Sequence, residues 1–582
     1  MRAAFLRTIL LRPGGLLVPG ATAAFLSASG SFGSEPFPWS PFGIGSCHVN
    51  NRSVEDNARW VPEMEAIGLK VYRSAQTGWG AVEPTEGNWS WKEIDRQWDY
   101  LAEHGFSFGG LLIGNPSWNT KDARGSLPVN HLEGWSRYVR EVVGHSAGRV
   151  KWWEVWNEPP NFTGRDQTPA DYAKIVVAAH DAAKSADPDC LVGLAAKSAH
   201  VNYLEQVILA GAKDHFDFIT LHPYEILDGV AENAGSETVF LNLVPALRRM
   251  LSARNPEKAD VPVIFTELGV DSRKGADLQA AGLVKAYVLG LAQGVACIQW
   301  FEGRDGDSGP LGLIDREGKP RPAYHALGRL VEHLGQHPRY LGWVQFEQRH
   351  CGFLFEGAAG TVMVAWARGG EEPGGIALAS PARILDTVSG ELSHTAAHPL
   401  SPTPVLVLDV PDTLVKEAKR NRGKLLPWGG DYSGAPSVSL TVENGRSVEN
   451  GLHTRSGDSV ADAVVAYGGS ARAGNVPGGN LFIVDPGFLS YDRVPLEITV
   501  KVRRNEANEN AGFKLVYESV DGFKTAGGWY TVPNNREWHT VTWRIEDPQF
   551  VNYWGYNFSL VSDGNTFNRY FLQSVTVKKL EN

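Results

Sequence analysis

Cysteine, net positive charge and long apolar runs are all scarce in this chain, and each shortage excludes something. Only four cysteines occur in 582 residues: Cys47, Cys190, Cys297 and Cys351. They form no disulfide framework, and no metal-ligand spacing links them. Three lie in strand-like apolar runs, where buried free thiols are expected. Lys and Arg number 55 against 65 Asp and Glu, a formal charge of −10. That balance leaves no basic stripe for nucleic acid or an anionic membrane. No segment is long and apolar enough to span a bilayer. Both a His-x-His after the first strand-like run and a glycine-rich dinucleotide fingerprint are absent, so no metal and no other cofactor is expected. No internal repeat and no obligate protein partner are evident.

What the chain has in quantity is aromatic: 19 Trp, 17 Tyr and 24 Phe. Flat apolar rings suit sugars as stacking platforms, although most such rings are core in any protein. The first 34 residues carry Arg2, Arg7 and Arg12 followed by apolar and small residues. They resemble a signal peptide interrupted by Pro13 and two glycines, or else a disordered N-terminus. A secreted or periplasmic location is the expectation.

Length alone asks for two to four domains. Over residues 35–335, eight short β-rich runs alternate with helical patterns. The runs begin at Phe42, Leu69, Phe108, Val150, Cys190, Phe216, Val261 and Ala296. Most are nearly continuous in apolar residues, as strands buried on both faces of a parallel sheet are. Eight such units predict a (β/α)8 TIM barrel, with its functional face at the C-terminal strand ends. Ser90 to Glu93 reads as a capping box, and Thr168-Pro169 as the start of another helix. Residues 336–412 alternate in short runs between Gly- and Pro-rich turns and predict a small antiparallel β-sandwich. Residues 413–435 read as a linker. Residues 436–582 predict a jelly-roll-like β-sandwich, a candidate carbohydrate-binding module because of Trp529, Trp538, Trp543 and Trp554. The fold class is therefore multidomain.

Two glutamates stand at the ends of the fourth and seventh runs: Glu158 in Trp-Asn-Glu-Pro and Glu267 in Phe-Thr-Glu-Leu. A pair of carboxylates from separate strand ends is what cleavage of a glycosidic bond requires. One must be neutral to protonate the leaving oxygen, and the other charged to meet the sugar carbon. Strict alternation turns Asn157 away from Glu158, so a bulge or strand-end twist is expected there. Glu154 has the parity of Glu158 and is expected inside the barrel as a hydrogen-bonded carboxylate.

Around this pair the order of residues resembles the clan of retaining glycoside hydrolases that carry their carboxylates on barrel strands four and seven. The likeness covers roughly residues 41–335. It rests on Arg73 after strand two, the loop from Trp79 to Trp91, Pro116-Ser-Trp118, Asn157-Glu158-Pro159, His222-Pro-Tyr224, Glu267, Trp300 and the stretch from Lys319 to Tyr324. In style it is similar to families 39, 5 and 42. The resemblance implies that Glu158 is the general acid/base, with a raised pKa helped by Trp153 and Trp156. It implies that Glu267 is the nucleophile, kept ionised by Arg73 and Tyr224. Asn157 would bond the 2-hydroxyl of the reacting sugar, His222 would orient polar groups beside the nucleophile, and Trp300 would form the floor. Trp79, Trp118 and His48 are candidate subsite residues, with loop packing the competing role for the two tryptophans. The function so implied is a retaining β-glycoside hydrolase that cleaves an oligo- or polysaccharide by double displacement, in endo fashion. Two alternatives stand beside it: a non-catalytic polysaccharide-binding protein on a barrel scaffold, which has no need of the glutamate pair, and a transglycosylase using the same residues.

Overall fold

The computed structural model describes residues 39–45, 54–74, 76–306, 308–347, 350–369, 373–455, 463–466, 468–474, 480–563 and 566–581. The expected signal segment 1–34, Cys47, His48 and Asp307 lie outside them.

Eight parallel strands close into a barrel in chain order. They are β1 (Phe42–Ile44), β2 (Val71–Ser74), β3 (Ser107–Leu112), β4 (Trp152–Val155), β5 (Leu191–Lys197), β6 (Phe218–His222), β7 (Val263–Leu268) and β8 (Cys297–Trp300). Ile44 of β1 pairs with Trp300 of β8 and completes the ring. Alternation divides each strand into an outward set under the helices and an inward set that stacks in layers. The lowest inward layer is apolar: Val71, Trp152, Phe218, Ile264 and Cys297. One repeat higher, the same strands present Arg73, Glu154, Thr220 and Thr266. The barrel thus changes from hydrocarbon to a polar network within two residues along each strand. Room for the large rings comes from Gly109 and Gly110 of β3, where a Cβ would fall 2.2 Å from Trp152 and from Trp153.

Among the helices, Pro169–Ala186 begins as the sequence predicts. Thr168 caps it by accepting from the Asp171 backbone, Asp171 returns the bond, and Pro169 takes the first turn. The box expected at Ser90 does not form. The helix there is Lys92–Glu103 and its N-cap is Trp91, which makes no side-chain cap. That ring stacks instead between Trp89 and His145, at 5.4 and 4.2 Å.

After the barrel, β9 (Arg339–Gln345), β10 (Cys351–Gly357), β11 (Gly360–Trp366), β12 (Gly375–Asp386), β13 (Leu392–Pro399) and β14 (Val405–Val407) form an antiparallel sheet. Its order is β13-β12-β14-β11-β10-β9. One face continues the barrel's apolar core through Phe353, Phe355, Val364 and Trp366. The other carries Leu354, Met363 and Ile384, which cluster with Ala418, Leu414 and Val415. Those last three lie on or beside helix Asp412–Asn421, which therefore occupies the first part of the segment expected as a linker. Spacing of three to four residues between its few apolar side chains explains why so charged a stretch is helical.

The C-terminal region is a sandwich of a seven-stranded and a five-stranded antiparallel sheet. Leu440, Val500, Phe513, Leu560 and Val575 are among the side chains filling its interior. Trp543 belongs to that interior, whereas Trp529 is exposed. Ile483, Tyr491, Val551 and Tyr553 of this region pack into the barrel's own cluster, so apolar contact is continuous across the boundary. No helix among the described residues is long and apolar enough to cross a membrane.

Candidate active site

Arg73 is the hub of the polar network at the strand ends. It is almost fully buried and donates Nε–H to Glu154 (2.6 Å) and a terminal N–H to Asn157 Oδ1 (2.8 Å). Its other terminal nitrogen bonds Glu267 Oε1. Burial works against this cation, and Glu154 and Glu267 more than offset it, so its pKa is raised. Glu154 also accepts from Thr220 (2.6 Å) and Thr266 (3.1 Å). It is the inward, hydrogen-bonded carboxylate that its parity demands.

The next turn of the network is His222. Its Nε2 faces Thr266 Oγ1 at 2.8 Å and its Nδ1 faces Glu158 Oε1 at 2.8 Å. Because the Thr266 hydroxyl gives its proton to Glu154, it must accept from His222, which fixes a proton on Nε2. The bond between Nδ1 and Glu158 then holds one further proton, shared between ring and carboxyl. Burial pushes the imidazole pKa down, but Glu267 and Glu158 prevail and raise it. For Glu158, burial raises and the His222 bond and charge lower, with the lowering dominant. The raised Glu158 pKa expected from neighbouring tryptophans is therefore corrected: a cationic partner counts for more than apolar walls. Trp153 and Trp156 are buried in those walls, and Trp156 donates its ring N–H to Phe162 O.

Two backbone irregularities bring the carboxylates in. On the first, β4 ends at Val155, and Trp156 (φ 69°) and Glu158 (φ 47°) take left-handed conformations. This strand-end twist lets Asn157 and Glu158 both reach the network, as their sequence parity requires. The second was not foreseen. Thr266 and Glu267 are consecutive, yet both contact the interior, which a regular strand forbids. A register shift against β8 between Phe265 and Leu268 re-aims Glu267. Tyr224, just after β6, donates to Glu267 Oε2 at 3.3 Å. Its own pKa is far above normal, from burial and then from the Glu267 charge.

Oxygens of Glu158 and Glu267 and a ring nitrogen of His222 lie within 4.8 Å of one another. Such spacing also suits metal ligands, but Arg73 already occupies Glu267, and both His222 nitrogens have partners. Glu158 and Glu267 keep a little accessible side-chain surface, 11% and 14%, while Glu154 keeps none. With the shared proton on His222, two cations and three carboxylates leave the cluster one net negative charge. That field favours positive charge developing on a substrate bound above it.

The aromatic candidates divide. Trp300 ends β8 but is fully buried, with its ring N–H on Leu311 O, so the structure offers no open face for it as a floor. Trp79 is likewise buried, stacked on Tyr138 at 5.4 Å and bonded to Glu83 (2.6 Å); it packs the loop rather than lining a subsite. Trp118 donates to Glu83 O and remains partly accessible. Glu302 and Asp305 are buried, accepting from Gly306 N and from Arg321, and so brace the loop after β8.

Two residues at these strand ends were missed by sequence reasoning. Lys197 ends β5 with the inward parity of Gly193 and Ala195, in register with His222. Its backbone N–H bonds Pro159 O at 3.1 Å. Glu225 follows Tyr224, and burial raises its pKa. Inward parity was the available signal for Lys197; Glu225 had none.

A family model, glycosyl hydrolase family 10, matches residues 48–194, the span containing β2, β3 and β4. Among solved structures, a family 39 glycoside hydrolase from Bacteroides cellulosilyticus WH2 is similar at 17% identity. The likeness covers 63% of this chain and 80% of that one, with a TM-score of 0.53. Xylanase 10B from Thermotoga maritima shares 19% identity over 50% of this chain and 95% of its own (TM-score 0.39). A GH5_18 enzyme from Streptomyces cattleya shares 18% over 51% and 80% (TM-score 0.43). The closed eight-stranded barrel and the likeness to the family 39 structure show the (β/α)8 fold of this clan, and the glycosyl hydrolase family 10 match lies within its first half.

Proposed function

We propose that the chain is a retaining β-glycoside hydrolase with Glu158 as acid/base and Glu267 as nucleophile. The observation that carries this is the approach of their carboxylate oxygens to within 4.8 Å. Retaining enzymes keep the two groups about 5–5.5 Å apart, whereas inverting ones leave roughly 6.5–9.5 Å for a water. Glu267, bonded by Arg73 and Tyr224, attacks the anomeric carbon and forms a glycosyl ester. In that step the proton held between His222 and Glu158 passes to the leaving oxygen. Glu158 then takes a proton from water, which opens the ester. Asn157, its oxygen held by Arg73, turns its amide N–H groups to the 2-hydroxyl of the reacting sugar.

The test is azide rescue of Glu158→Ala and Glu267→Ala on aryl β-glycosides. A β-glycosyl azide from the first and an α-glycosyl azide from the second establish both roles and retention. Full activity in either variant overturns the pair. Endo action on a secreted or periplasmic polysaccharide belongs to the same proposal. Mixed oligosaccharides early in the digestion of a β-1,4 polymer support it, and a single released sugar size sinks it.

A further inference from the structure

The C-terminal sandwich reaches the mouth of the barrel on the side of β5 and β6. Its loop 551–557 is shaped by the buried Glu518, whose carboxylate accepts from the backbone of Val551 (2.9 Å), Asn552 (3.0 Å) and Tyr553 (3.3 Å) and from the Asn557 amide (3.0 Å). Four fixed donors on one carboxylate leave the loop little freedom. Tyr553 stacks on His200 at 4.0 Å, and its carbonyl accepts from Ser198. Arg455 ties the loop to the barrel by donating to both Trp554 O (3.2 Å) and Glu225 O (3.3 Å). At Gly555 (φ 77°) a Cβ would stand 3.1 Å from Glu225 O, so only glycine allows this approach comfortably.

Trp554 is thereby set beside Lys197, whose ammonium lies 4.8 Å from the ring centroid. Lys197 donates its side-chain protons to no carboxylate or carbonyl among the described residues. Glu225 Oε2 is buried and has no hydrogen-bond donor there. A lysine without an acceptor thus stands next to Glu158 and His222 against a partly accessible indole, beside a carboxylate that takes Ser198 and has lone pairs to spare. Buried polar groups demand partners. Adjacent hydroxyls of a pyranose supply both kinds, and its C–H face suits the aromatic wall.

We propose that Lys197, Glu225 and Trp554 form a sugar subsite spanning the two domains, which receives the unit on the leaving-group side of the scissile bond. Lys197 donates to one hydroxyl, Glu225 accepts from its neighbour, and Trp554 of the C-terminal domain packs against the ring. The leaving-group side follows from connectivity. Lys197 is tied to the Glu158–Pro159 turn, and Glu158 faces the departing oxygen. Arg73 and Tyr224 instead hold the nucleophile for the reacting sugar. The inference rests on the glycosidase reading above.

The test compares wild type, Trp554→Ala, Trp554→Phe and Lys197→Met. The probes are the p-nitrophenyl β-monoglycoside turned over fastest among the xylo, gluco, manno and galacto series, and the matching β-1,4 tetrasaccharide. Tetrasaccharide binding is also measured calorimetrically in a Glu267→Ala background. For Trp554→Ala and Lys197→Met, kcat/KM on the tetrasaccharide should fall roughly tenfold more than on the aryl glycoside, with tetrasaccharide Kd rising by a similar factor. Trp554→Phe should recover most of the loss. If Trp554→Ala does not fold, Trp554→Phe and Lys197→Met still give the comparison. Equal losses on both probes, within about twofold by the same arithmetic, overturn the subsite while leaving the glycosidase reading intact. A wild type that neither cleaves nor binds any probe overturns both.

Discussion

The protein buries glutamates in two settings, and they differ in how much of the carboxylate is left open. At the domain boundaries, Glu237 accepts from Trp366 and Arg368, and Glu205 from Arg254, Arg493, Tyr491 and Gln549. Glu518 is bound by four donors within its own domain. These carboxylates are held by fixed partners, keep at most 2% of their surface open, and act as rivets. At the strand ends Glu158 has His222, and Glu267 has Arg73 and Tyr224, each with some surface still open. The same chemical group is locked in one place and left open in the other. The count of donors does not decide which, since Glu237 and Glu267 have two each; the accessible edge of the carboxylate does.

The sharpest way to test this contrast is to remove one member of each class. Glu267→Ala should lower kcat by roughly 10⁴-fold or more, with a melting temperature at or above that of wild type. Arg73 then loses one of its carboxylates but keeps Glu154. Glu237→Ala should show the opposite pattern. It strands the buried Arg368 charge and should cost about 3–5 kcal/mol in a denaturant titration, while folded enzyme keeps its kcat. If Glu237→Ala instead abolishes activity without loss of stability, the division into rivets and reactive groups fails.

A smaller effect probes the shared proton. In wild type, activity should fall on the alkaline side as that proton leaves the imidazole, whose pKa is raised above the ordinary 6.5 of histidine. His222→Asn leaves the proton to a carboxyl alone, so the alkaline limb of kcat/KM should move to lower pH by roughly one unit or more. An unmoved limb would assign the titration elsewhere. Smallest of all, Thr168→Ala should cost about 1 kcal/mol through the lost helix cap, read as a modest fall in melting temperature with kinetics untouched.

What could be read in the sequence follows the locality of its cause. All eight barrel strands were legible, because each is an apolar run that owes its identity to its own residues. Strands β12 and β13 were not, since most of their side chains are exposed or half-buried and the runs carry Ala, Ser, His and Pro. Glu158, Glu267, Arg73, His222 and Tyr224 were found together because the resemblance sets them at strand ends, which converge on this fold. Their electrostatics were not, because the Glu158 pKa depends on which ring nitrogen of a residue 64 positions away carries a proton. Lys197 and Trp554 lie some 350 residues apart in the chain, and no local pattern announces such a meeting. Trp79 and Trp300 show the converse: the right residue type at the right strand end, turned to packing.

Eight described residues other than glycine have a left-handed backbone. Four are asparagines, which tolerate it at little cost. The others are Trp156, Glu158, Ser198 and Tyr491, and each disagrees locally with the shape the whole fold imposes. Two flank Asn157 in the turn after β4; Ser198 holds Tyr553, and Tyr491 holds Glu205. Frustration among these residues is therefore concentrated, not scattered: it sits in the turn that carries Glu158 and along the seam with the C-terminal domain. A search for sequences that satisfy every residue's local preference would revise those positions first, and would gain a smoother landscape by erasing the chemistry.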